Sequence, residues 1–246
     1  MKPSLIRRGA GIASGRAARR LGALALAAAC LGGCATGPQA NPVDPIEPFN
    51  RGVTRFNDVI DSALMRPVAV AYETVVPQLL RTGVTNFFNN LTDVWSFANS
   101  VMQLRAQQSA QTFMRVNVNT FFGLGGFLDV ASEAGIERHR EDFGQTLGRY
   151  GVGAGPYLVL PILGPSTVRD TAALPVDYQG GLISNVDNIP LRNSMYALRL
   201  VDARAELLKV DRMLDQMALD KYSFTRDIFL QRRRNDVYDG NPPDEP

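Results

Sequence analysis

Few side chains in this sequence have the type and setting to act as nucleophile, base or metal ligand. His139 is the only histidine, and it sits in Glu137-Arg138-His139-Arg140-Glu141-Asp142, a charged run of the kind that forms a solvated face. Ser166 follows Gly164-Pro165, but a hydrolase elbow needs Gly-x-Ser-x-Gly with a histidine later in the chain, and neither is present. Zinc-hydrolase spacings are absent. Asp170 and Asp177 have the types of an acid/base pair, yet Arg169 beside Asp170 makes an ion pair or helix cap the simpler reading. Arg232-Arg233-Arg234 reads either as a helix C-terminus favoured by its dipole or as a contact for lipid headgroups or an acidic partner. The inventory predicts no catalytic residue, no metal site and no enzyme.

Cys34 is different, because its surroundings assign it a reaction. A basic zone (Lys2, Arg7, Arg8, Arg16, Arg19, Arg20) precedes an apolar stretch from Leu21 to Leu31, and then Leu31-Gly32-Gly33-Cys34. That is the layout of a secretory signal peptide over residues 1–33, too short in its apolar part for a spanning helix. The ending resembles a lipobox, in which the cysteine is diacylated on sulfur, cut just before, and acylated again on the new amine. Cys30 is the rival, but Ala27 suits the position three before the cut less well than Leu31. No cofactor is expected beyond this covalent lipid. Ala35 stands where an Asp would direct retention at the inner membrane, so the outer membrane is expected.

Cleavage changes the charge balance. Six of the 26 basic residues and none of the 24 acidic ones lie before Cys34, so the mature formal charge is −4 rather than +2. A nucleic-acid partner is thereby excluded. The one remaining cysteine is committed to lipid, which leaves burial alone to hold the fold. One substantial domain is expected. Residues 34–43 form the lipidated tether, whose nine residues after the cysteine reach at most about 30 Å.

The elements that follow read as helical almost throughout. Phe49, Val53, Phe56, Ile60 and Leu64 are spaced four, three, four and four, which gives one apolar helix face. That face packs inside the body or lies on the membrane. The helix starts at a capping box, Asp44-Pro45-Ile46-Glu47, or at Pro48. Further helices are predicted over Pro67 to Val75, Pro77 to Leu91, Val94 to Leu104 and Ala106 to Thr120. Leu191, Met195, Leu198, Val201, Ala205 and Leu208 mark a long helix opening at Pro190 and continuing through Met217. A last one covers Tyr222 to Arg234, and the acidic, proline-rich tail at 237–246 is expected to be disordered.

Two glycine-rich stretches are bordered by apolar residues instead of polar ones: Phe121 to Leu128, and Gly151 to Pro165. Neither is a phosphate loop, since no Lys-Ser/Thr follows and no buried strand precedes. Either glycine allows tight packing and turns in a core, or these are flexible apolar elements that meet lipid. At most a short strand, Tyr157 to Leu160, fits between the breaks.

Several ordered motifs resemble the VacJ/MlaA family of outer-membrane phospholipid-transport lipoproteins. They are Asp44-Pro45-x-Glu47-x-Phe49-Asn50-Arg51, Arg66-Pro67-Val68-Ala69-x-x-Tyr72, Val84-x-Asn86-Phe87 with Asn90-Leu91, Gly123-x-Gly125-Gly126-x-x-Asp129-x-Ala131, and Asp142-Phe143-Gly144-Gln145-Thr146-Leu147-Gly148 running on to Pro156-Tyr157, Leu160-Pro161, Gly164-Pro165-Ser166 and Arg169-Asp170. Pro48 departs from the family's usual glycine. The resemblance implies an all-α fold over 44–236: a single ring-like helical domain with a central amphipathic channel, embedded in the inner leaflet of the outer membrane. It further implies phospholipid as cargo, trimeric porins as neighbours and a soluble periplasmic carrier as recipient. Pattern and family together nominate Phe121, Phe122, Leu124, Phe127, Leu158, Leu160, Ile162 and Leu163 as lipid-channel or membrane contacts.

Overall fold

The structure, a computed structural model, describes residues 41–217 and 219–243, so the signal segment and the expected lipid site at Cys34 lie outside the described residues. Helix α1 (Glu47–Ile60) passes through a π turn at Asp61–Met65 directly into α2 (Arg66–Val75). The start left open by the sequence falls at Glu47, with Pro48 in the first turn where its missing N–H costs nothing. Asp44 is not the cap. Its carboxylate turns inward to accept from Asn50 at 2.8 Å and from the Tyr222 hydroxyl at 2.5 Å. Val76 turns extended before Pro77, as a residue preceding proline must, and this ends α2.

The next element, α3 (Gln78–Met102), is one helix where the sequence predicts two, and α4 (Ala106–Phe121) matches expectation. Asp93, at the predicted break, continues the helix because Arg138 from a distant loop takes its buried carboxylate at 2.7 Å. After a short α5 (Val130–Glu133) come α6 (Phe143–Arg149), the hairpin β1 (Tyr157–Leu160) and β2 (Gly164–Thr167), and α7 (Val168–Gly180). A 3-10 turn at Ile183–Asn185 leads to α8 (Ile189–Met217) and α9 (Lys221–Val237). The last helix outruns its predicted end at Arg234: Val237 is buried, its carbonyl accepts from Arg105, and Asp239 lies 2.7 Å from the same guanidinium.

Helices α6 and α7 have no counterpart in the sequence reading. Both begin at side-chain caps: Asp142 accepts from the Gln145 N–H at 2.8 Å, and Thr167 from the Asp170 N–H at 3.2 Å. Asp-x-x-Gln and Thr-x-x-Asp are N-terminal signatures that were there to be read.

The elements touch in a closed circuit. α1 meets β1, the hairpin pairs antiparallel from Tyr157↔Thr167 to Leu160↔Gly164, β2 meets α7, the 3-10 turn joins α7 to α8, α8 packs on α2, and α2 returns through the π turn to α1. The fold is ring-like, all helical but for this hairpin. Carboxylates lock the joints. Asp61 takes Arg204 of α8 at 2.5 Å, Asp202 of α8 accepts from Tyr72 of α2 and Thr85 of α3, and Asp177 of α7 accepts from Trp95 of α3 at 2.8 Å.

What lies inside is mostly polar. The largest fully buried side chains include Arg115, Asn50, Asn99, Thr112 and Asp93. Buried apolar residues gather in only two small clusters, one around Ala69, Ala205 and Leu208, the other around Tyr157, Val159 and Tyr222, and the rest, such as Phe88, Ala131 and Val237, lie outside both. Apolar side chains face outward instead: Phe49, Phe56, Val59 and Leu64 of the first helix and its π turn are all exposed. Among the described residues no helix is long and apolar enough to cross a membrane.

Candidate functional site

Both glycine-rich stretches end in apolar tips. After α4 the chain folds back on itself, Gly125 and Gly126 donating to the Thr120 and Asn119 carbonyls at 3.0 and 2.8 Å. Gly126 can do so because its φ is +94° and a Cβ there would strike Asn90. Leu124 adopts the same left-handed region at φ +54° without glycine's freedom. The turn throws Phe121, Phe122 and Leu124 outward, each about three-quarters exposed at 77%, 74% and 76%. Phe127 goes the other way, its ring filling the space where a side chain at Gly83 of α3 would stand.

The second tip is the β-hairpin turn. Ile162 at φ +68°, with Leu163 beside it, protrudes into solvent at 62% and 69% exposure. Leu158 and Leu160 are half-buried, alternating along β1 with the buried Tyr157 and Val159. Of the eight nominated residues, five are therefore exposed at two tips and three are partly packed behind them.

Helix α1 holds the second tip by an arrangement the sequence reading missed. Asn50 donates to the Tyr157 carbonyl at 3.1 Å and accepts from the Val159 N–H at 2.9 Å; Asn57 does the same for the Leu160 carbonyl at 3.0 Å and the Ile162 N–H at 2.8 Å. Two asparagine amides seven residues apart thus serve the β1 backbone as a neighbouring strand would. Their spacing is the only signal the sequence carries. Asn57→Leu is expected to speed amide exchange at Ile162 by about tenfold or more while leaving the global melting transition cooperative, because it unpairs two backbone groups at a cost of about 1–3 kcal/mol. Unchanged exchange at Ile162 would show that the turn holds its own shape.

Away from the tips lies a polar basin of about 950 Å³. Residues 137–142, the C-terminal half of α9 and the facing sides of α3 and α4 line it. Much of its charge is already matched: Arg138 to Asp93, Arg233 to Asp142 at 2.6 Å, and Arg105 to Glu141 at 2.7 Å. Burial pushes the Glu141 carboxyl up to about 7, against the pull of Gln103 and Arg105. Arg140, which lines this basin, and Arg199, which does not, are exposed, yet the protein around each holds its guanidinium below the ordinary value.

The residues considered for catalysis are occupied structurally. His139 Nε2 lies 2.7 Å from Gln111, the Ser166 hydroxyl 2.9 Å from that of Thr171, and Asp170 joins Arg169 and Arg233. Among the described residues no group of three or more His, Cys, Asp or Glu is placed to hold a metal ion.

Comparison with known proteins agrees with this architecture. The family described as MlaA lipoprotein matches residues 42–236. The intermembrane phospholipid transport system lipoprotein MlaA of Escherichia coli strain K12 is 39% identical over 219 residues, covering 87% of this chain and 86% of that one. Its namesake in Haemophilus influenzae is 37% identical over 225 residues, covering 87% and 89%. A solved structure described as "Structural basis for maintenance of bacterial outer membrane lipid asymmetry" contains a chain that superposes with a TM-score of 0.69 at 34% identity, over 80% of this chain and 99% of the other.

Proposed function

This chain belongs to the MlaA lipoprotein family, and from that premise we propose that it removes mislocalised phospholipids from the outer leaflet of the outer membrane. The lipid passes through the middle of the ring and on to a soluble periplasmic carrier, so that the outer membrane keeps its asymmetry. Trimeric porins brace the ring in place, and the lipid on Cys34 holds it at the inner leaflet. No bond of the cargo is made or broken.

The observation that carries this reading is the inversion of the fold, with charged and amide side chains inside and Phe, Leu, Ile and Val outside. Hydrocarbon is the medium in which such an exterior is at rest, since each square ångström of apolar surface left in water costs about 25 cal/mol. No described helix is long and apolar enough to span, which accords with a body lodged in one leaflet. Arg140 and the other charged side chains of the basin supply the polar half of an amphipathic path, and the two apolar tips supply its greasy rim.

The test is the amount of phospholipid in the outer leaflet of cells lacking this chain, complemented with the intact gene or with Cys34→Ala. The intact copy should restore a lipid-free outer leaflet, and Cys34→Ala should leave phospholipid exposed and the chain mislocalised. Equal outer-leaflet phospholipid with and without the chain would refute the transport reading. Full rescue by Cys34→Ala would refute the anchor.

A further inference from the structure

The basin of about 950 Å³ has a charge pattern that its structural role does not use. Subtract the closely matched pairs, and four lining residues remain, two with no ion pair among the described residues and two joined to each other only loosely. Arg140 has no carboxylate at salt-bridge distance among the described residues and only a long contact, 3.4 Å, to Asn89. Arg232 is 72% exposed and reaches Asp236 only at 3.8 Å. Glu137 is exposed without an ion-pair partner among the described residues, and Asp236, with only that loose contact, has its carboxyl pushed up by burial. These are two cations and two anions at one opening.

A fold selecting only for stability would pair such groups closely, as it pairs Arg233 with Asp142 and Asp170 a single residue away on the same helix. Instead the cations crowd one another. Burial, and then the charges of Arg138, Arg232 and Arg199, outweigh the pull of Asp93 and hold the Arg140 guanidinium below its ordinary value. An arriving anion would relieve that repulsion. A purely anionic ligand would meet Glu137 and Asp236, and a purely cationic one would meet Arg140 and Arg232. The leftover charges sum to zero, which favours a ligand that carries both signs a few ångströms apart. The volume falls within the ordinary range for small-molecule sites.

We propose that this basin binds a zwitterionic phosphodiester headgroup of the phosphoethanolamine type, its phosphate on Arg140 and Arg232 and its ammonium on Glu137 and Asp236. Planar guanidinium groups suit phosphate oxygens, which they meet with two parallel N–H bonds. This deepens the transport reading and rests on it for the source of the headgroup: the basin would be where a lipid is recognised by its polar end.

The full lipidated chain in nanodiscs should be titrated with three soluble probes: glycerophosphoethanolamine, glycerophosphoglycerol and inorganic phosphate. Glycerophosphoethanolamine should bind tightest. Arg140→Ala and Arg232→Ala should each weaken it by about tenfold or more, the loss of one charge-assisted contact. Glu137→Gln should abolish the preference over glycerophosphoglycerol while sparing inorganic phosphate. All three side chains are exposed, so unchanged melting of the variants is expected and separates lost binding from lost folding. Inorganic phosphate binding as tightly as the zwitterion would overturn the proposal in favour of a free-anion site, and so would unaltered binding in both arginine variants. The titration stands apart from the cell assay: failure to clear outer-leaflet lipid counts against transport, and failure of the titration counts against the basin.

Discussion

Arg233→Met should destabilise the folded chain by about 3–5 kcal/mol, a large part of the stability a single domain has to lose. Arg233 grips two carboxylates at once, Asp142 at 2.6 Å through both terminal nitrogens and Asp170 at 2.8 and 3.0 Å. Burial raises the Asp170 carboxyl, but Arg233 and Arg169 outweigh it and hold it below the usual carboxylate range. Remove the guanidinium, and Asp170 keeps only Arg169 while Asp142 keeps only the N–H that it caps. The joint between α6, α7 and α9 then holds a buried charge without its main partner. Urea unfolding gives the number. Arg232→Met, one residue back and 72% exposed, is the internal control and should change stability by no more than about 0.5 kcal/mol. Arg233→Lys should fail to rescue, since an ammonium cannot serve two carboxylates in bidentate fashion. If Arg233→Met and Arg232→Met unfold at the same urea concentration, the polar joints do not hold the ring.

That pair of neighbouring arginines shows where the sequence was legible and where it was not. Periodicity located most helices, because the repeat of apolar residues is the same whichever way a helix faces. It did not say which face is the inside. In α1 the apolar positions Phe49 and Phe56 are exposed, and the buried residue is Asn50. A helix in water and a helix in a one-leaflet ring write the same pattern with opposite meaning. The expectation that burial alone would hold the fold is incomplete for this reason: the joints are carboxylates bound to guanidiniums or a phenol that stand far off in sequence, Asp44 with Tyr222, Asp93 with Arg138, Asp61 with Arg204. No local pattern announces a partner 45 to 178 residues away. Caps at Asp142 and Thr167 were local and readable, and only they would have revealed α6 and α7. Of the candidate site, the family motifs and glycine runs located both tips. The partition into five exposed residues and three packed ones depends on which way Gly126 and Gly164 turn the chain, at φ +94° and +81°.

The exposed tip after α4 allows folding and membrane function to be separated by mutation, with Phe121→Lys, Phe122→Lys and Leu124→Lys combined. In water the triple variant should fold as well as the parent, because all three side chains are already about three-quarters exposed and touch little that lysine would disturb. In hydrocarbon the cost is different in kind. A lysine held at the centre of a bilayer is unfavourable by about 2.5–3.5 kcal/mol, less toward the interface, where its chain can reach the headgroups. Three together oppose insertion by several kcal/mol, which the triacyl anchor proposed on Cys34 still outweighs. The lipidated triple variant should therefore remain in the membrane fraction while phospholipid in the outer leaflet rises to the level of cells lacking the chain. In the Cys34→Ala background, where the tips would be the remaining hold on the bilayer, the same three lysines should move the protein to the soluble fraction. Phe127→Lys is the contrast: its ring fills the space over Gly83, so that change should lower the melting temperature itself. A triple variant that clears outer-leaflet phospholipid as well as the parent would place the membrane contact elsewhere on the ring.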